Sequence, residues 1–176
     1  MRLSTLFLLV VLSGCKGMTG GSMMSTDPPS QSGPPPIGSE IKLSNSQMGI
    51  QNGLFLTAFN FSDLDELWVR VITPQMPKLT MLHLAFVNPK GVLTYTDDSA
   101  FTVDPSGGQM MYPQMGEQIT ANPVISVPGG SALDRGLPVG GTAFIRYPEE
   151  GDWQVQATLE GVPGMITANM HVVYTR

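Results

Sequence analysis

Apolar and polar residues alternate along much of the second half of the chain. The clearest run is 153–160, where Trp153, Val155, Ala157 and Leu159 alternate with Gln154, Gln156, Thr158 and Glu160. A period of two is typical of a strand that buries one face, and a helix would scatter these residues around its axis. The Gly- and Pro-containing segment 160–164 predicts a turn, and 165–174 alternates again. The two runs therefore predict a C-terminal antiparallel hairpin.

Shorter apolar runs, separated by Gly, Pro and Asn, predict further strands. They are 53–61, 67–72, 81–86, 92–96, 101–103, 124–127 and 142–147. No stretch shows a convincing helical period with caps. About eight short strands with turns between them predict an all-β antiparallel fold, and we favour a sandwich over a closed barrel.

The N-terminus has a different pattern. Arg2 precedes an apolar run, Leu3–Leu12, which is too short to span a bilayer and has the build of a secretory signal. It ends in Leu12-Ser13-Gly14-Cys15, and Cys15 is the one cysteine of the sequence. This order resembles the lipobox of bacterial lipoproteins.

The lipobox resemblance implies cleavage between Gly14 and Cys15, removal of residues 1–14, and attachment of acyl chains to Cys15. Two or more chains anchor a protein stably, at about 0.8 kcal/mol per buried methylene. Lys16, rather than Asp, follows the cysteine, and the resemblance then implies the outer membrane, facing the periplasm. We expect a protein of the bacterial cell envelope that is attached to the membrane through Cys15.

Composition divides the remainder of the chain into two parts. Residues 15–40 are rich in Gly, Ser and Pro, and are predicted to form a disordered tether. Large apolar residues recur from Ile41 onward, so the β-sandwich is expected to occupy 41–176.

Charge and cysteine content narrow the possible partners. The formal net charge is −5 with 13% charged residues, and no basic stripe is present to neutralise phosphates, which argues against nucleic acid. Because Cys15 is the sole thiol, it leaves none for disulfides or redox chemistry. No cofactor is predicted.

The segment 140–161 carries a second resemblance. Its order Gly-Thr-x-Phe … Gly-Asp-Trp-x-Val-x-Ala is similar to the late strands of bacterial immunoglobulin-like domains. This resemblance implies an immunoglobulin-like sandwich, although the Cys-Trp-Cys signature of antibody domains is absent.

A non-enzymatic binding or structural module for a protein partner is the favoured function. The segment Pro105–Gln118 is predicted to be a long loop, and it carries apolar and aromatic side chains of the types that form interaction hot spots. The candidate partner-binding residues are Met110, Met111, Tyr112 and Met115.

Two alternatives remain open. Thioether and imidazole ligands suit Cu(I), so Met110, Met111 and Met115 with His83 or His171 are an alternative copper site. Acidic groups at 63–66, 97–98 and 149–152 suggest a hydrolase on a β-scaffold as the second alternative. They could also bind calcium, but their spacing matches no known calcium loop. No catalytic motif of a hydrolase is present, so we do not expect an enzyme.

Overall fold

The computed structural model describes residues 32–112 and 116–175. Most of the described chain is strand, connected by short turns, two short α-helices, α1 (Gln47–Gln51) and α2 (Ala143–Arg146), and one 3₁₀ helix, Phe61–Asp63. The strands are β1 (Glu40–Ser44), β2 (Ala58–Asn60), β3 (Glu66–Thr73), β4 (Leu79–Val87), β5 (Leu93–Thr102), β6 (Gly108–Tyr112), β7 (Glu117–Pro123), β8 (Ile125–Val127), β9 (Gly130–Pro138), β10 (Gly151–Leu159) and β11 (Val162–Val173). No helix in this part of the chain is both long and apolar enough to cross a membrane.

The strands form two sheets packed face to face. The smaller sheet has the order β1-β3-β9-β8, and the larger has the order β2-β11-β10-β4-β5-β7-β6. Pairing is antiparallel except at β2–β11 and β5–β7, which are parallel. The predicted all-β sandwich is therefore confirmed, with eleven strands in the described residues where about eight were expected.

The core lies between the inner faces of the two sheets, as the alternation predicted. In β10 the apolar positions 153, 155, 157 and 159 are buried, while Gln154 on the opposite face is exposed. Strand β11 pairs with β10 in the predicted hairpin, and its inner positions Ile166, Met170 and Val172 are also buried. One face of each sheet is thus removed from water, which fixes the register of its strands.

The run 142–147 was predicted to be a strand, and this prediction is wrong. Residues 143–146 form α2, which turns Phe144 into the core and leaves Ile145 at the surface. Phe144 is fully buried among other aromatic rings, with ring centroids 4.8–5.7 Å from those of Phe61, Phe86, Tyr95 and Trp153. A single helical turn can place one side chain in the core without pairing to another strand. A strand at 142–147 would have needed a neighbouring strand with free backbone groups.

Three other predicted strands differ from the structure. The runs 92–96 and 101–103 belong largely to one continuous strand, β5, because Asp97 and Asp98 lie within the ladder instead of in a turn. Of the run 53–61, only β2 is a strand. The residues before it form an extended segment that is held by hydrogen bonds from Leu54 N to Gly49 O and from Leu56 N to Leu43 O, each 2.8 Å long.

The N-terminal part of the described chain enters at one end of the sandwich. Pro34 and Pro35 lie against Gly164, where a Cβ atom would collide with their backbone, and Gly164 has a φ of +79°. The β10–β11 turn is at the same end, because Gly164 lies near the start of β11. The β3–β4 connection is there too, since a Cβ atom on Gly161 would lie 2.9 Å from Pro77 Cγ. We call this the entry end. The far end carries α1, α2 and the start of β10.

Candidate binding surfaces

The predicted lipidation and cleavage residues, Cys15 and Gly14, lie outside the described residues. The same holds for Met115. The lipid anchor and the role of Met115 therefore remain predictions from the sequence.

The segment Pro105–Gln118 was predicted to be a loop, but most of it forms the hairpin β6–β7. The strand begins after a turn in which Asp104 Oδ1 accepts hydrogen bonds from the backbone and the hydroxyl of Ser106. These two bonds lower the pKa of Asp104. The Gly- and Met-rich sequence of β6 lacks clear alternation, so its pairing with β7 was not evident from local sequence.

The hairpin divides its apolar residues between two faces, because successive side chains of a strand point in opposite directions. Tyr112 is buried and Met110 is half-buried, and both pack into a small cluster with Met81, Ala100 and Ala121. Met111 faces away and is 58% exposed. Of the described candidate partner-binding residues, Met111 is thus the one presented to solvent.

A chain of polar contacts fixes this hairpin over the outer face of the large sheet. The Tyr112 hydroxyl donates a hydrogen bond to the carboxylate of Glu160, which follows β10. Glu160 Oε1 is 3.4 Å from His83 Nε2, and His83 Nδ1 lies 2.8 Å from Asp98 Oδ1. His83 and Asp98 are directly opposite each other in β4 and β5. The buried tyrosine is thereby connected to an imidazole between two carboxylates.

Among the described residues, the two histidines of the alternative copper site lie far apart. His83 is aligned with Thr158 in β10, whereas His171 is aligned with Asp152, six residues away along the same strand. Six residues of strand span about 20 Å. His171 instead lies 2.8 Å from Asp152 Oδ1, and Met110 and Met111 point to opposite faces.

The acidic pair Asp97-Asp98 is also divided between two faces. Asp97 points between the sheets and forms a bidentate ion pair with Arg135 of β9, at 2.8 and 2.9 Å. This hydrogen bonding raises the pKa of Arg135, so the guanidinium stays charged. Within residues 32–112 and 116–175, no group of three or more His, Cys, Asp or Glu side chains is arranged to hold a metal ion.

Sequence reasoning missed an exposed apolar surface at the far end. Met48 of α1 is 72% exposed and Leu54 65%, and Phe55 and Leu56 are each about 40% exposed. Met48, Leu54 and Leu56 line one hollow, and the Lys42 ammonium lies 5.7 Å from the Phe55 ring centroid. We call these four residues the apolar end patch. The run Leu54-Phe55-Leu56 was visible in the sequence, but it was interpreted as part of a strand.

The chain matches no protein-family model and no curated protein sequence. A solved structure that it resembles is the crystal structure of the C-terminal domain of wzt, with 12% identity and a TM-score of 0.36 over 77% of this chain and 72% of that one. At that TM-score the likeness carries no argument, and the sandwich assignment rests on the strand pairing described above.

Proposed function

We propose that this protein is a lipid-anchored, non-enzymatic binding module of the bacterial cell envelope. Its apolar end patch is the surface that meets a protein partner. The observation that carries this proposal is that large apolar side chains are exposed on a backbone held in place by hydrogen bonds. Contiguous exposed apolar groups of this kind mark protein or membrane contacts.

The position of the patch favours a protein over the bilayer. From Gly164 at the entry end to His171, which pairs with Ala58 beside the patch, β11 spans seven residues, or about 23 Å. A lipid on Cys15 would hold the entry end toward the membrane. The predicted tether joins the domain at the entry end, so the patch lies at the end opposite the attachment.

Site-specific photocrosslinking of the full chain in bacterial cells tests the partner contact. A photoreactive residue in place of Phe55 is expected to give one protein adduct of discrete mass, and Leu54→Ser with Leu56→Ser should abolish it. The matched control is the same probe at Met165, an apolar residue that is 44% exposed in β11 near the entry end. Equal adducts from both positions, no adduct at all, or adducts with phospholipid would each overturn the partner assignment.

The anchor has an independent test. Intact-mass analysis is expected to show a chain that begins at Cys15 with added acyl mass, and Cys15→Ala should release the protein from membranes. A product that retains Met1 and carries no hydrocarbon would contradict the anchor. That result would leave the crosslinking result interpretable on its own.

A further inference from the structure

A groove on the outer face of the small sheet has no role in the function proposed above. Its floor is formed by β3 and β9, one wall by α1, and the other wall by the β7–β8 connection. Its lining includes the side chains of Trp68, Glu66, Gln47, Gln51, Asn122 and Asp134. The groove encloses about 380 Å³, the size range of small-molecule sites.

One aromatic ring lies on the floor of this groove. The six-membered ring of Trp68 lies directly over Gly136 of β9, where a Cβ atom would be 2.7 Å from Cζ2. The absence of a side chain at position 136 therefore allows the indole to rest on the strand. Trp68 Nε1 donates to Glu66 Oε2 at 2.9 Å, so both its position and its orientation are fixed.

Two of the three charged residues of the lining are held in ion pairs. Asp134 accepts two hydrogen bonds from Arg70, at 2.6 and 2.7 Å, and Arg135 is bound to Asp97. The carboxylate of Glu66 accepts the indole N–H. A charged ligand would compete with the ion pairs of Asp134 and Arg135, and the uncompensated carboxylate of Glu66 would repel an anion, so the groove favours an uncharged ligand over an anionic one.

Side-chain amides border the indole. Gln47 and Gln51 are four residues apart on α1 and so lie side by side, and both are exposed. Each amide carries two donors and an acceptor, which matches neighbouring hydroxyl groups that both donate and accept. Asn122 on the opposite wall donates from Nδ2 to Ala100 O. This bond fixes the orientation of the Asn122 amide and leaves Oδ1 as an acceptor.

We propose that this groove binds a neutral carbohydrate. A pyranose ring has an apolar C–H face, which would stack on Trp68, and a rim of hydroxyl groups, which would bond to the amides. A proline-rich peptide also stacks on aromatic grooves, but those grooves present several rings, and this one presents a single ring among amides. The proposal rests on the groove alone and does not depend on the lipid anchor.

The two tryptophans of the sequence provide an internal control for the test. Trp153 is fully buried and donates from Nε1 to Glu149 O at 2.7 Å. In a nitrogen-15 spectrum of the full chain, in a detergent without a sugar headgroup, the two indole N–H signals report on different places. The probes are maltohexaose, cellohexaose and chitohexaose, with an oligogalacturonate and a triproline-containing peptide as comparisons.

At least one neutral hexasaccharide is expected to shift the Trp68 signal in a saturable way while the Trp153 signal stays in place. Gln47→Ala with Gln51→Ala, at exposed positions that folding tolerates, should weaken binding about tenfold. Trp68→Ala should weaken it more, as measured by titration calorimetry, because this variant lacks the indole signal. The control Met111→Ala should bind normally.

The proposal is overturned if no neutral probe moves the Trp68 signal at about 10 mM, a concentration that detects even millimolar affinity. It is also overturned if the acidic sugar or the peptide binds as well as the neutral sugars. Binding that survives the double glutamine variant unchanged would likewise refute it.

Discussion

Phe144 is expected to be the side chain on which closure of the far end depends. It is fully buried and its ring contacts four others, with centroid separations of 4.8–5.7 Å. Removal of a buried Phe side chain costs about 3–5 kcal/mol, and each aromatic pair contributes about 0.5–1.5 kcal/mol beyond burial. With four pairs lost, Phe144→Ala should lie near the upper bound, at about 5 kcal/mol.

That loss is large compared with the total stability of about 5–15 kcal/mol that is typical of a domain. Phe144→Leu keeps most of the volume and should cost about 1.5 kcal/mol. The matched control is the neighbouring Ile145→Ala. Ile145 is 38% exposed, so its truncation should cost about 0.5 kcal/mol or less.

Urea unfolding followed by fluorescence provides the assay, because Trp153 is in the same aromatic cluster, 5.7 Å from the Phe144 ring. With a slope of about 2 kcal/mol/M, the midpoint of Phe144→Ala should fall by about 2.5 M, and that of Ile145→Ala should hardly move. If the two variants unfold within about 1 kcal/mol of each other, the reasoning is wrong. The α2 segment would then open independently of the sandwich.

Three further predictions concern single polar side chains. Tyr112→Phe removes the hydrogen bond to the Glu160 carboxylate, at a cost of about 1–2 kcal/mol, and should accelerate amide exchange in β6 about tenfold while β10 stays protected. Asp134→Ala leaves the buried guanidinium of Arg70 without its partner and should cost about 3–5 kcal/mol in urea unfolding. Burial and the nearby Asp97 carboxylate raise the pKa of Tyr95 in the folded state. Its contribution is therefore present below about pH 10 and lost as pH rises through the folded pKa, so Tyr95→Phe should flatten the alkaline decline of the urea midpoint.

Each of these predictions has a control and a contradicting result. Met111→Ala changes the same hairpin without touching its attachment, and it should leave exchange in β6 unchanged. Lys90→Ala breaks the exposed pair with Glu149 and should cost less than about 1 kcal/mol. If the Asp134 variant is no worse, the buried pair does not contribute as argued. An alkaline decline that is identical with Phe at position 95 would show that other groups control it.

The strands with one buried face could be predicted because local alternation carries the information. Strands β3, β10 and β11 follow this rule, and the C-terminal hairpin has the expected partners. Helix α2 could not be predicted, because four residues give no helical period and Phe144 is buried only through long-range contacts. The continuity of β5 was missed for a related reason: Asp97 and Asp98 interrupt its apolar pattern, and their partners, Arg135 and His83, are distant in sequence.

The candidate surfaces could be predicted only in part. The apolar residues of 110–112 were identified, but only the pairing of β6 with β7 determines which of them faces outward. The end patch and the groove depend on α1, whose five residues lie between two apolar runs and give no signal of their own. The groove also needs Gly136 beneath Trp68, a juxtaposition that arises from the register of β3 and β9.

Two of the strands that border the sheets, β2 and β8, are only three residues long. Unpaired strand borders invite neighbouring molecules to join them, and brevity is one way that proteins prevent this. Short border strands would therefore keep neighbouring copies from joining sheet to sheet. If the chain is anchored as proposed, this protection would matter more, because attachment to one membrane raises the local concentration of copies.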